Sequence, residues 1–355
     1  MVACLAVGLI GNDSADAEEN ILDDSRHFAH IVDKVIAPGY AKLDEYAALH
    51  RDAINSLCSQ PRADELLVAR NTWRRVKIEW KRVQVTAIGP AMKMRTHRSI
   101  DFWPHRQPLV ERILASNIAL TSETMATQSV AAKGLNVLEH YLFDEYLLKA
   151  ISANERICEY LAAVADDVAI HLTKLHEYWT VGSRWRSALL AFDGKSVQDV
   201  ITFASPHEAW QELFNVVLSA TYNIRKLSLI KSAGLRLHTR PRPELAEGRA
   251  SRSSVELIRA GVEGLYEIIV FPQSGIADLL TAQGQADVAD ELSELVGDAV
   301  AAAVDLREPF IDSIHEQREL IEALDATLRR VQMILQTETP QIFDIVMYFR
   351  DLDGD

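Results

Sequence analysis

From Asp24 onward the apolar positions recur at helical spacing, and no stretch shows the strict alternation of a half-buried strand. "HFAHIVDKVIAPGYAKLDEYAALHRDAINSLCSQ" (residues 27–60) predicts a helix with a kink at Pro38-Gly39. Pro61 opens the next helix at its N1 position, over roughly 62–87. That helix carries Trp73 and Trp80 seven apart, hence on one face, and stops at Gly89-Pro90. Residues 91–120 read as irregular around "DFWPHRQP", and helices follow over 121–148 and 152–178. A break at 179–205 precedes a helix near 206–230. Residues 234–254, rich in Pro, Arg and Ser, cannot be regular. The rest reads as three or four helices, the longest over 285–335, where alanine and leucine dominate.

This pattern predicts an all-α fold of two helical bundles, 24–180 and 206–355, joined by a linker over 181–205. Residues 1–23 are set apart. An apolar run from Val2 to Ile10 precedes Ala15-Asp16-Ala17, a small-x-small pattern that fits a signal peptidase site. The basic segment that should open such a signal is missing, so its start is expected to be truncated. Export to the periplasm is the expectation. The competing reading is an apolar N-terminus on a cytoplasmic protein. No other stretch has the ~18 uninterrupted apolar residues of a membrane span.

Composition narrows the partners. The 355 residues carry a formal charge of -14, which argues against nucleic acid and suits cationic ligands. Glycine (15) and proline (11) are scarce, which favours long helices over many turns. The three cysteines form no CxxC. Cys58 and Cys158 could make one disulfide in an oxidising compartment, or each could be a small buried apolar residue.

Candidate chemistry is sparse. No HExxH occurs; "HEQRE" (315–319) has a glutamate where the second histidine should stand, and on a polar face it reads as a solvated pair. His27 and His30, with Asp33, could form a three-ligand face or simply a polar one. His171 and His176 do not share a face well, and His97 and His105 flank the "DFWP" segment. The most pointed stretch is "AAKGLNVLEHYLFDE" (131–145). Read as one helix, it holds Gly134 in its interior, at a cost of about 1 kcal/mol against alanine, which suggests a close approach of another helix or a ligand. Asn136 and Glu139 lie over one patch beside a stripe of Leu135, Leu138 and Leu142. A glutamate there is partly buried and must find a partner or a proton.

Those residues resemble the imelysin-like family, whose motif is GxHxxE with a GLxxLE variant. "HIVDKVIAPGYAKL", "LLVARNTWRRVKIEW", "AIGPAM", the "FWP" of 102–104, "NIRKLSLIKSAGL" and "ELAEGRASRSSVELIRAGVEGLYEI" agree with further family segments in the right order. The resemblance covers nearly all of the chain after residue 24. It implies an all-α two-domain protein of the periplasm or cell envelope, tied to iron or copper acquisition, with a site between the domains. It places Gly134, Glu139, Glu247, Ser251 and Ser254 on motif positions, and Trp73, Trp80, Gly89 and Pro90 on structural ones. Asn136 stands where the motif has histidine, Gln84 where relatives carry glutamate, and Arg249-Ala250 where a Trp-Arg pair is usual. An amide is neither a comparable metal ligand nor a general base.

Three functions follow. The first is a non-enzymatic binding protein for a metal ion, a metal complex (iron, copper or zinc) or another small ligand, held by Asn136, Glu139, Glu247 and Gln84 and working with other envelope proteins of metal uptake. In it Glu139 is the expected metal ligand. The second is an imelysin-type metallopeptidase. The third is a helical scaffold without ligand.

Overall fold

The computed structural model describes residues 20–197, 200–236 and 239–348. The fold is all-α. Its one sheet among the described residues is a two-stranded antiparallel pair, Ser196–Val197 with Val200–Ile201, inside the expected linker. The expected export signal lies almost wholly outside the described residues.

The first half is built on α1 (Ala37–Ser59), α2 (Ala63–Val83), α3 (Leu135–Leu142) and α4 (Glu155–Trp179). A short helix, Ser25–Ile31, feeds α1 through a wide π-type turn at Val32–Ile36. That turn sits where Pro38 withdraws its N–H from the ladder and its ring crowds the carbonyl one turn back. α1 packs on both α2 and α4, and a disulfide between Cys58 and Cys158, with Cα atoms 5.4 Å apart, ties the end of α1 to the start of α4. Asn154 caps α4 by accepting from the amide of Arg156.

The second half is built on α5 (Pro206–Asn223), α6 (Ser254–Val270), α7 (Ala286–Asp305) and α8 (Arg318–Met333). α7 packs between α6 and α8. The halves meet where α6 crosses α2, and apolar burial runs without interruption from one half to the other. The crossing is close because Gly264 has no side chain: a Cβ there would overlap the carbonyl oxygen of Arg82.

Several sequence expectations are corrected. Residues 121–148 are not one helix. Ser122–Ala126 and a 3-10 turn at Val130–Ala132 precede Gly134, which caps α3 from outside with φ +86°. A Cβ at Gly134 would lie 2.7 Å from the carbonyl oxygen of Ile100, so the glycine answers a turn and a backbone approach, not a helix crossing. The segment 91–120 holds short helices at Thr96–Ile100 and Gln107–Ala115. The long helix over 285–335 is broken into α7, Phe310–Glu316 and α8, with Pro309 at the first break. α2 begins two residues after Pro61 and ends at Val83, followed by a 3-10 turn at Gln84–Thr86. Gly89-Pro90 therefore opens the next short helix, Pro90–Lys93, instead of closing α2.

Candidate functional site

The site begins with two lysines on α2. Lys77 and Lys81 are four apart and so share a face. Lys77 lies in the same stripe as Trp73 and Trp80 and is fully buried, whereas Lys81 keeps a fifth of its side chain exposed. Two carboxylates converge on them from distant parts of the chain. Asp101 arrives at the end of the helix Thr96–Ile100, and Glu247 from the irregular segment before α6. Lys77 Nζ pairs with Asp101 Oδ1, lies 2.5 Å from Glu247 Oε1 and donates to Asn136 Oδ1 at 2.9 Å. Lys81 Nζ lies 2.9 Å from Glu247 Oε2 and 3.2 Å from Asp101 Oδ2. Asn136, in the first turn of α3, donates to Asp101 Oδ1 at 2.6 Å and to the Phe102 carbonyl at 2.9 Å.

Two ammoniums thus face two carboxylates and the formal charge closes to zero. Burial alone would favour the neutral amine of Lys81, but the charges of Asp101 and Glu247 outweigh it and hold the ammonium above its ordinary range. Burial likewise works against a charged Asp101, and Lys77 and Lys81 overcome it, holding the carboxyl below the usual range.

Glu139 stands apart from this square. It projects from α3 toward the segment 248–253, where its Oε1 accepts from the Ser251 amide at 2.9 Å and the Ser251 hydroxyl at 2.8 Å. Burial raises its pKa, and the two Ser251 bonds and Lys77 offset this only in part. Arg74, one turn before Lys77, adds bonds from the other side, to the Ser251 carbonyl at 2.8 Å and to Ser253 Oγ at 3.3 Å.

A cleft between the halves opens on the charged square. Its empty volume is about 910 Å³, counting the part open to solvent. Lys81, Gln84, Asp101, Trp103, Asn223 and Glu247 supply its polar and aromatic lining, and Leu227, Leu257 and Phe310 apolar wall. Asn223 Oδ1 is buried there with no hydrogen-bond partner among the described residues. An unpartnered buried acceptor costs free energy and gains from a donor brought by a ligand.

The residues picked from sequence go to several different places. Asn136 and Glu247 join the charged square; Gln84 lines the cleft and accepts from Lys81 at 3.5 Å; Glu139 and Ser251 pair with each other. Trp73 donates to the Leu135 carbonyl at 2.9 Å, Trp80 is core, and the Gly89 amide donates to Glu212 at 2.7 Å. The histidines do not assemble. His27 and His30, on the helix Ser25–Ile31, meet the Gln273 carbonyl and the Ser274 hydroxyl, whereas Asp33, in the π-type turn, pairs with Arg186. His171 and His176 sit beside Asp167 and Asp44 respectively. His97 is held by the Ala91 carbonyl, His105 lies against His140 with the rings tilted at 45°, and His315 and Glu319 are exposed on separate helices.

Sequence reading missed Lys77, Lys81 and Asp101. The available signal was a lysine in the apolar stripe between two tryptophans, a place where an unpaired cation cannot be buried.

Among the described residues no group of three or more His, Cys, Asp or Glu side chains is placed to hold a metal ion. Asp101 and Glu247 already have lysines as counter-ions, Asn136 is a neutral amide, and one oxygen of Glu139 is engaged by Ser251. These residues do not fit a bare ion.

The fold and this arrangement are those of a two-bundle helical protein with a polar site at the junction. The family model described as Imelysin matches residues 36–335, and the chain belongs to the imelysin family. Two solved structures share the fold. One is an imelysin-like protein from Psychrobacter arcticum 273-4, with TM-score 0.72 and 19% identity, covering 92% of this chain and 96% of that one. The other is a "putative iron-regulated protein A precursor" from Parabacteroides distasonis ATCC 8503, with TM-score 0.74 and 14% identity, covering 90% and 95%. No curated protein matches the chain.

Proposed function

We propose that this chain is a non-catalytic binding protein of the cell envelope, whose cleft between the bundles takes a small polar molecule or a metal complex in preference to a bare ion. The observation that carries the reading is the pair of lysines inside the carboxylate site. An ammonium held by Asp101, Glu247 and Asn136 does the work a metal ion would do there, neutralising the carboxylates. A metal ion would have to displace both cations. A metal complex brings its own ligands and needs only the cleft and its polar wall. For the same reason peptidase chemistry through a metal-activated water finds no support in the Glu139 region. Glu139 holds the 248–253 turn and does not line the cleft.

Three observations favour the envelope. The Cys58–Cys158 disulfide fits an oxidising compartment. The apolar run Val2–Ile10 before Ala15-Asp16-Ala17 fits an export signal. The Parabacteroides distasonis relative is named a precursor. Its name also connects it with iron regulation, which favours a metal complex among the candidate ligands. No helix among the described residues is long and apolar enough to cross a membrane.

The test is a thermal-unfolding screen of the purified protein against metal ions, metal chelates and small polar metabolites. A ligand at 100 times its Kd adds about 2.7 kcal/mol of stability. The reading expects such a ligand to lose its effect in Asn223→Ala or Lys81→Ala, and expects no proteolysis that responds to a chelator. Chelator-sensitive cleavage of a protein substrate, abolished by Glu139→Ala, would overturn it.

A further inference from the structure

The cleft does not end at the charged square. Ala246, Ser254 and Phe310 line it and also line a second hollow of about 610 Å³, so the two adjoin across these three residues. Arg249 and Arg252 stand in the second hollow. Neither guanidinium makes a hydrogen bond or an ion pair to a described residue. The charge of Arg249 also acts on Glu244, which is exposed and already bonded by Arg242 at 2.9 Å. The one carboxylate in the lining, Glu308, is spent on backbone: Oε1 accepts from the Val255 amide at 2.5 Å and Oε2 from the Phe310 amide at 3.0 Å. Both arginines are exposed, and what sets them apart is the hollow they share.

Their placement is built from beneath. Both belong to the turn that Glu139 holds. Ser251 is buried, bonded by Glu139 and Arg74, and this turns Arg249 and Arg252 on either side of it outward. The Ser253 amide closes the turn on the Gly248 carbonyl at 2.9 Å, and Arg252 takes a left-handed φ of 54°. A guanidinium matches carboxylate and phosphate through paired N–H donors, and two at one hollow disfavour a cation there.

We infer that this hollow is an oxyanion site: Arg249 and Arg252 take a carboxylate or phosphate group of a ligand whose body runs on toward Lys81 and Glu247. The inference rests on the cleft-binding reading and gives its ligand a chemical class. Glu139 acts in it as a positioning residue.

Isothermal titration with citrate and with inorganic pyrophosphate, at low salt and at about 0.15 M salt, tests this and separates the two sources of oxyanion. Saturable binding of at least one probe is expected. Arg249→Ala/Arg252→Ala should weaken it by about tenfold or more, as the loss of a charge-assisted bond requires. Arg242→Ala, outside the hollow, should leave it unchanged. Glu139→Gln keeps an acceptor for Ser251 and should preserve binding, whereas Glu139→Leu should weaken it. The inference fails if neither probe saturates, if the double variant binds as wild type does, or if Arg242→Ala weakens binding equally. A neutral or cationic compound that stabilises wild type but not Asn223→Ala would keep the cleft reading while removing this inference.

Discussion

Lys77→Met removes the central ammonium but keeps most of the stem's volume. It leaves Asp101 and Glu247 with Lys81 alone, two negative charges against one positive, and strips Asn136 Oδ1 of its donor. Lys77 is fully buried and Asp101 is nearly so, so water cannot replace the lost partner. Breaking a buried pair in this way costs about 3–5 kcal/mol, a large share of the roughly 5–15 kcal/mol that holds a domain folded. Urea unfolding at pH 7 reads the loss as a lower midpoint at constant slope. The pH dependence supplies the sign. In wild type Asp101 titrates below its ordinary value of 3.8, so its stabilising contribution is present above that pH and is lost only as pH falls through the lower folded value. Without Lys77 that depression relaxes, so the gap between variant and wild type should narrow as pH falls toward 4. Adding Asp101→Asn to Lys77→Met should restore part of the loss, with a coupling of about 1.5 kcal/mol or more. A loss under about 1 kcal/mol at pH 7, the size of an exposed pair, would refute the buried charge square.

Other outcomes follow from the same geometry. Glu139 has a raised pKa, so its contribution is present at acid pH and is lost as pH rises from 4.5 through the folded value; Glu139→Gln should therefore match or exceed wild-type stability at pH 7 and lose any advantage near pH 4, as measured by urea midpoints. Reducing the Cys58–Cys158 bond, which spans 100 residues, should lower stability by about 3–4 kcal/mol, visible as a lower melting temperature in dithiothreitol. Gly134→Ala forces a Cβ to 2.7 Å from the Ile100 carbonyl at positive φ and should cost at least about 1–2 kcal/mol.

How much of this was legible in the sequence depends on distance along the chain. The helices α1, α2 and α4 show in the apolar period because each buries one stripe and leaves the rest wet. Gly134 was misread because the apolar period runs unbroken across 131–145, and only the carbonyls of Ser99 and Ile100 reveal that a turn interrupts it. Glu139 and Ser251 were found by motif, yet their pairing was not, since 112 residues separate them. The charge square was hidden for the same reason. Lys77 and Lys81 look like ordinary helix lysines until Asp101 and Glu247 are brought to them by tertiary packing.

The central claim is that lysine, not a metal ion, neutralises the carboxylates at the junction. Its most direct test is metal content of the purified protein, with iron, copper and zinc titrated into wild type and into Glu139→Gln and Glu247→Gln. The account predicts no stoichiometric ion in any of the three. One ion per chain in wild type, lost on changing Glu139 or Glu247, would contradict it.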